Sequence, residues 1–311
     1  MALRTFIRKM SSAAGNRQLD LRGIFIPLTT PFNADEGIAF DKLKQNLKEY
    51  EKIPFTGYVV AGSNGEAPYL TPDERVQLVK FVRENTDGNK IVIGGSTAES
   101  TNLACELTSS MAKVGADGVL VMPPFYFRKR MTDEAIEKHY MTIADKCGMP
   151  IVIYNMPFVC GIDISTPLLA KMARHPLIRG VKDSDIRKCA GTVQDTKSLN
   201  FDVLIGSAGY LLGSLLNGCS GAINGLAGIL GQELCDLYTA YHKGDFQKAR
   251  EIQVRISKPD TLLLSELGVP GLKTAMDMFG LAGGRCRSPI LPTTEADKQR
   301  IKDTLGKEGY L

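Results

Sequence analysis

The sequence predicts an α/β protein, a (β/α)8 TIM barrel with a C-terminal helical extension. Three observations carry this. Eight short apolar runs rich in β-branched residues alternate with amphipathic stretches between residues 23 and 227. Each run is nearly continuous in hydrophobicity, as parallel strands covered on both faces are. From residue 228 onward the strand pattern stops and only helical spacing remains.

The first run, GIFIPL (23–28), contains Pro27. A closed barrel has no free edge for a proline, so a bulge or an early strand end is needed there. The turn that follows, TTPFNADEG, lacks G-x-G-x-x-G, which weakens the alternative of an open doubly wound sheet. Phe40, Leu43, Leu47 and Tyr50 recur at helical spacing, and TGYVVAG (56–62) is the second strand. TPDERVQLVKFV opens with Thr71, Pro72 and, three residues after the threonine, Glu74, a helix-capping signature. KIVIGGS (90–96), GVLVMPP (118–124), PIVIYNM (150–156), IRGVKDS (178–184), FDVLIGS (201–207) and GAINGLA (221–227) complete the strands. GILGQELCDLYTAYHKG, DFQKAREIQVRI, GVPGLKTAMDMFG and EADKQRIKDTL read as helices. The expected division is residues 1–19 as a leader, 20–230 as the barrel, and 231–311 as its last helix and the C-terminal helices.

Composition narrows the function. The net charge of +4 comes from the leader, where Arg4, Arg8, Lys9 and Arg17 stand without an acid. Taking those four from 38 basic residues leaves 34, against 34 acidic ones. The body therefore has no excess charge to draw it to nucleic acid or an anionic membrane. No apolar run approaches the ~20 residues of a membrane helix. The leader spaces Leu3, Phe6, Ile7 and Met10 along one face and contains Ser11 and Ser12, the pattern of a mitochondrial transit peptide. Seven scattered cysteines with no C-x-x-C pair suit a reducing compartment and small buried side chains, not a disulfide framework or zinc site.

Active groups of such a barrel sit at the C-terminal strand ends. Those ends supply Gly62-Ser63-Asn64-Gly65-Glu66, Phe125-Tyr126, Tyr154, Lys182-Asp183-Ser184 and Gly206-Ser207. Lys182 is their sole lysine. Desolvation in a barrel mouth favours a neutral amine, which attacks ketones to form a Schiff base. Tyr154 ends the preceding strand, about one strand spacing (~5 Å) away, and its hydroxyl suits the proton transfers. Two bland alternatives remain open: a core tyrosine with a satisfied hydroxyl, and a structural ion pair of Lys182 with Asp183 or Asp185.

In combination, G-S-N-G-E, PLTTPF (27–32), Tyr-Asn-x-Pro at 154–157, the strand-six lysine and GSAGY (206–210) resemble the pyruvate-dependent class I aldolase superfamily over residues 21–311. That superfamily includes dihydrodipicolinate synthase and N-acetylneuraminate lyase. The resemblance implies pyruvate held as a Schiff base on Lys182 and proton transfer by Tyr154. It implies a relay through Ser63 and Tyr126, the latter from a neighbouring subunit, and a substrate carboxylate on Ser63 and Asn64. Ser184 and Gly206 would contact the 2-oxo acid; no cofactor or metal is implied, and the assembly would be a homotetramer, a dimer of dimers. Dihydrodipicolinate synthases carry an arginine where this chain has Val159, so a carboxylate grip is missing. Within the superfamily the motifs look most like the mitochondrial aldolases that split 4-hydroxy-2-oxoglutarate into pyruvate and glyoxylate.

The nearest rival is an aldolase for a longer 2-keto-3-deoxy sugar acid, with a roomier pocket around Phe158, Val159 and Ile223; a dihydrodipicolinate synthase-like lyase is the other within the superfamily. A metal-dependent aldolase using Glu66, Asp183 or Asp185 is a further rival, though His139, His175 and His242 fall on expected helices rather than strand ends. The last is a catalytically dead barrel kept for ligand sensing or assembly.

Overall fold

A computed structural model describes residues 19–311. The leader lies outside them except for Leu19, which is buried and whose carbonyl accepts from the Arg179 guanidinium at 3.3 Å.

Among the described residues eight parallel strands close into a barrel in the order β1 to β8, β8 pairing with β1. They are β1 (Gly23–Pro27), β2 (Gly57–Val60), β3 (Ile91–Gly95), β4 (Gly118–Val121), β5 (Ile151–Asn155), β6 (Ile178–Asp183), β7 (Asp202–Ile205) and β8 (Gly221–Ile223). Each strand is followed by a helix: α1 (Phe40–Tyr50), α2 (Pro72–Glu84), α3 (Thr101–Lys113), α4 (Asp133–Cys147), α5 (Thr166–Met172), α6 (Ile186–Thr196), α7 (Leu211–Leu216) and α8 (Ala227–His242). The strands are buried along nearly their whole length, the environment their continuous Val and Ile content calls for. Pro27 is the last residue of β1, and the next amide, Leu28, donates to Val59 at 2.9 Å. An early strand end thus resolves the proline. The seam closes on glycines: a Cβ on Gly221 would stand 2.0 Å from the Gly23 carbonyl oxygen, and Gly23 itself has φ 113°.

The Thr71 signature is a full capping box at the start of α2. His175 lies past the end of α5, in the turn leading into β6, and not in a helix. The extension consists of α9 (Phe246–Asp260), α10 (Gly268–Met278) and α11 (Glu295–Lys307). Between α9 and α10 runs a π-helical stretch, Thr261–Glu266, closed by the Leu267 amide on the Leu262 carbonyl at 3.0 Å. Helical periodicity alone does not announce it.

Candidate active site

β5 and β6 meet in a register that a bulge corrects. Ile151 pairs with Ile178, but Val152 pairs with Gly180, so one residue of β6 is skipped. Without that skip Val181 would face Tyr154; with it, Tyr154 pairs with Lys182 and Asn155 with Asp183. The skipped residue, Arg179, is tied down by its guanidinium to the Asn200 side chain at 2.6 Å.

The register puts two side-chain pairs on opposite faces of the sheet. On one, Lys182 Nζ stands 4.2 Å from the Tyr154 ring centroid. Lys182 is 8% exposed, and among the described residues no carboxylate is in ion-pair range of it. On the other face, Asn155 Nδ2 donates to Asp183 Oδ2 and Asp163 Oδ1, both at 2.9 Å. Asp183 also accepts from the Asp185 amide at 2.8 Å and lies 3.9 Å from Lys188; Asp185 binds Arg187. Burial pushes the Asp183 carboxyl up, an effect partly countered by the Asn155 hydrogen bond. The structural ion pair weighed for Lys182 is therefore not formed. Its two candidate partners are engaged elsewhere.

Around this pair stand the other strand-end residues. Ser63 Oγ is 3.4 Å from the Tyr154 hydroxyl. Asn64 packs so closely on Gly225 that a Cβ there would meet its Nδ2 at 2.4 Å. Ser184 Oγ is buried without a hydrogen-bond partner among the described residues, which leaves it free for a bound group. Gly206 lies against the lysine stem: an added Cβ would be 3.3 Å from Lys182 Cε. Tyr126 is the outlier, 77% exposed and stacked edge-on with Phe127 at 5.0 Å. A cavity of about 600 Å3 runs from Ser63 and Tyr154 out to Tyr126 and Val159; Lys182 is not on its wall. Phe158, 91% exposed, and Val159 sit on a single helical turn, Pro157–Cys160. Ile223 is fully buried in β8 and does not line the cavity.

Three acids that position these loops carry no local sequence signal of that role. Glu99 accepts from the Phe125 and Tyr126 amides at 3.0 and 2.9 Å. Asp260, at the end of α9, accepts from Ser207 Oγ at 2.6 Å and the Gly209 amide at 2.9 Å, holding the loop after β7. Glu66, weighed as a metal ligand, is instead 2.6 Å from Lys273. Among the described residues no three His, Cys, Asp or Glu side chains gather as a metal site. His139 is on α4 and bonded to Thr101, and His242 ends α8 among tyrosine rings.

The chain is similar to known proteins along nearly its whole length. The model of the dihydrodipicolinate synthetase family matches residues 20–308. A 4-hydroxy-tetrahydrodipicolinate synthase of Methanospirillum hungatei is 32% identical over 289 residues, 92% of this chain and 98% of that protein. An uncharacterised DapA-like lyase of Halobacterium salinarum is 32% identical over 295 residues, 94% of this chain and 96% of the relative. The crystal structure of dihydrodipicolinate synthase from Aquifex aeolicus superposes with a TM-score of 0.86 at 27% identity, covering 92% of this chain and 98% of that one.

Proposed function

Because the chain belongs to the dihydrodipicolinate synthetase family, matched over residues 20–308, we propose that it is a class I aldolase cleaving 4-hydroxy-2-oxoglutarate to pyruvate and glyoxylate. The observation that carries the Schiff-base chemistry is a buried lysine with no counter-ion among the described residues, set over the ring of a tyrosine one strand away.

In this scheme the Lys182 amine adds to the C2 carbonyl. Tyr154, whose hydroxyl oxygen accepts from Ser63 Oγ, supplies the proton with which the hydroxyl leaves as water, giving the iminium. Tyr154 then takes the proton of the 4-hydroxyl. The C3–C4 bond breaks, its electron pair moves into the iminium to form an enamine, and glyoxylate departs. Protonation of the enamine at C3 and attack of water return pyruvate and the free amine. Ser63 and Asn64 hold the C1 carboxylate, the unpartnered Ser184 hydroxyl faces substrate, and Gly206 leaves room for it beside the lysine.

A second reading has its own support: the relatives from Methanospirillum hungatei and Gluconacetobacter diazotrophicus bear the name 4-hydroxy-tetrahydrodipicolinate synthase. Against it stands Val159, whose isopropyl group cannot make the paired N–H contacts of a guanidinium with a second carboxylate. The same proposal makes the protein a homotetramer, with Tyr126 completing the relay of a neighbouring subunit; its exposed ring next to Phe127 supports this. The acid-free leader supports a mitochondrial address.

Incubation with pyruvate and borohydride, followed by mass spectrometry and peptide mapping, is expected to tag Lys182. An unchanged mass, or a tag elsewhere, overturns the Schiff-base scheme. Parallel assays of 4-hydroxy-2-oxoglutarate cleavage, 2-keto-3-deoxygluconate cleavage and 4-hydroxy-tetrahydrodipicolinate formation then assign the substrate. Turnover confined to either of the last two removes the present assignment.

A further inference from the structure

The loop that presents Ser63 and Asn64 is bracketed by two non-glycine residues in the left-handed region, Ala61 at φ 55° and Glu66 at φ 59°. Such backbone persists only where its surroundings hold it. Here the hold comes from the far end of the chain. The Glu66 side chain and that of Lys273 on α10 are each 1% exposed, with Oε1 and Nζ 2.6 Å apart. The same ammonium donates to the carbonyls of Thr30 at 2.7 Å and Arg285 at 2.8 Å. Glu66 Oε2 accepts from the Arg287 amide at 2.8 Å. The Phe32 ring lies 4.7 Å from both Lys273 Nζ and Arg287 Cζ, and Thr30 Oγ1 donates to the Gly65 carbonyl at 2.7 Å.

Three segments therefore converge on one buried charge pair: the loop after β1, the loop after β2, and the C-terminal extension. Buried ion pairs add little net stability compared with apolar groups of the same size, so stability alone explains this one poorly. Its location explains more. Glu66 is two residues from Asn64 and three from Ser63, and its carboxylate fixes where that loop ends.

We propose that Glu66 and Lys273 are positioning residues through which the C-terminal helix α10 sets the placement of Ser63 and Asn64 for the carboxylate of the 2-oxo acid. This rests on the aldolase reading of the site. Neither residue touches substrate; both act through the loop.

The test uses the full chain and its Glu66→Asp, Glu66→Gln and Lys273→Met variants, each checked for cooperative thermal unfolding. Reductive trapping on Lys182 is followed against pyruvate and against acetone, which has the carbonyl but no carboxylate. At saturating pyruvate the folded variants are expected to reach the full adduct. The pyruvate concentration for half-trapping should rise tenfold or more, and that for acetone should change less than twofold. A purely structural role would move both together, and that outcome overturns the proposal. So does a folded variant whose pyruvate value stays within twofold of the parent. Should Lys273→Met fail to fold, Glu66→Asp keeps the charge, withdraws the carboxylate by one methylene and makes the same comparison. No adduct in the unmodified protein sinks the aldolase reading itself; an adduct there with unresponsive variants sinks only the positioning role.

Discussion

On the β5–β6 side of the mouth, Lys182 and Tyr154 are buried, register-paired and flanked by the saturated Asn155–Asp183–Asp163 network. On the β4–β5 side, Tyr126, Phe127 and Phe158 stand open to solvent, and Val159 is half exposed. One side is finished within a single chain. The other presents large exposed rings, at the positions to which the proposed scheme assigns the second proton carrier and the departing aldehyde. On the proposed scheme the difference separates capture of the keto acid, assigned to one subunit, from the rest of the cycle, assigned in part to a neighbour.

Several measurements can break or sharpen that contrast. Lys182→Ala should abolish adduct formation and lower turnover by ~10^4-fold or more, the scale on which loss of a covalent nucleophile acts. Tyr154→Phe should cost ~10^2- to 10^4-fold in kcat while still permitting a slow adduct at Lys182. If both changes leave turnover intact, the closed side is not where the chemistry happens. Gly206→Ala places a methyl 3.3 Å from Lys182 Cε and should lower kcat/KM roughly tenfold, since misplacing reacting groups by a fraction of an ångström is costly. For the open side, Tyr126→Phe should reduce cleavage about tenfold yet leave pyruvate trapping unchanged. Dilution of the unmodified protein should reproduce that split, as read by sedimentation alongside both assays; activity that survives dissociation would show the open side to be complete alone.

The smallest effect concerns stability. His139, on α4 behind the open side, is buried, and desolvation lowers its imidazole to about 4. The folded state therefore favours the neutral ring. Its contribution is intact above the ordinary value near 6.5 and is lost as the pH falls from there toward 4, by at most roughly 3 kcal/mol. Melting temperatures from pH 7 to 4 should fall less steeply for His139→Gln than for the parent.

The barrel was legible because continuous Val and Ile runs have few other destinations, and the adjacency of Tyr154 and Lys182 followed from consecutive strands in a closed sheet. Their facing each other did not follow. It depends on the skipped residue Arg179, whose anchor Asn200 lies 21 positions away. Glu66 was visible as part of a motif, but its partner is over two hundred residues on, and periodicity cannot show such a meeting. Asp260 was equally silent, since a carboxylate ending a helix looks like any solvated one until its distant loop is known. The π-helical turn beyond it left no mark, because its side chains still recur at nearly helical spacing.

The tyrosine ring beneath the Lys182 nitrogen has an electrostatic consequence of its own. The π face of a phenol, negative by its quadrupole, attracts a cation whichever bonds that cation carries. In the proposed cycle the iminium would carry its positive charge on this same nitrogen, over the same ring. On the proposed scheme the ring is already in place for that charge when the keto acid is captured.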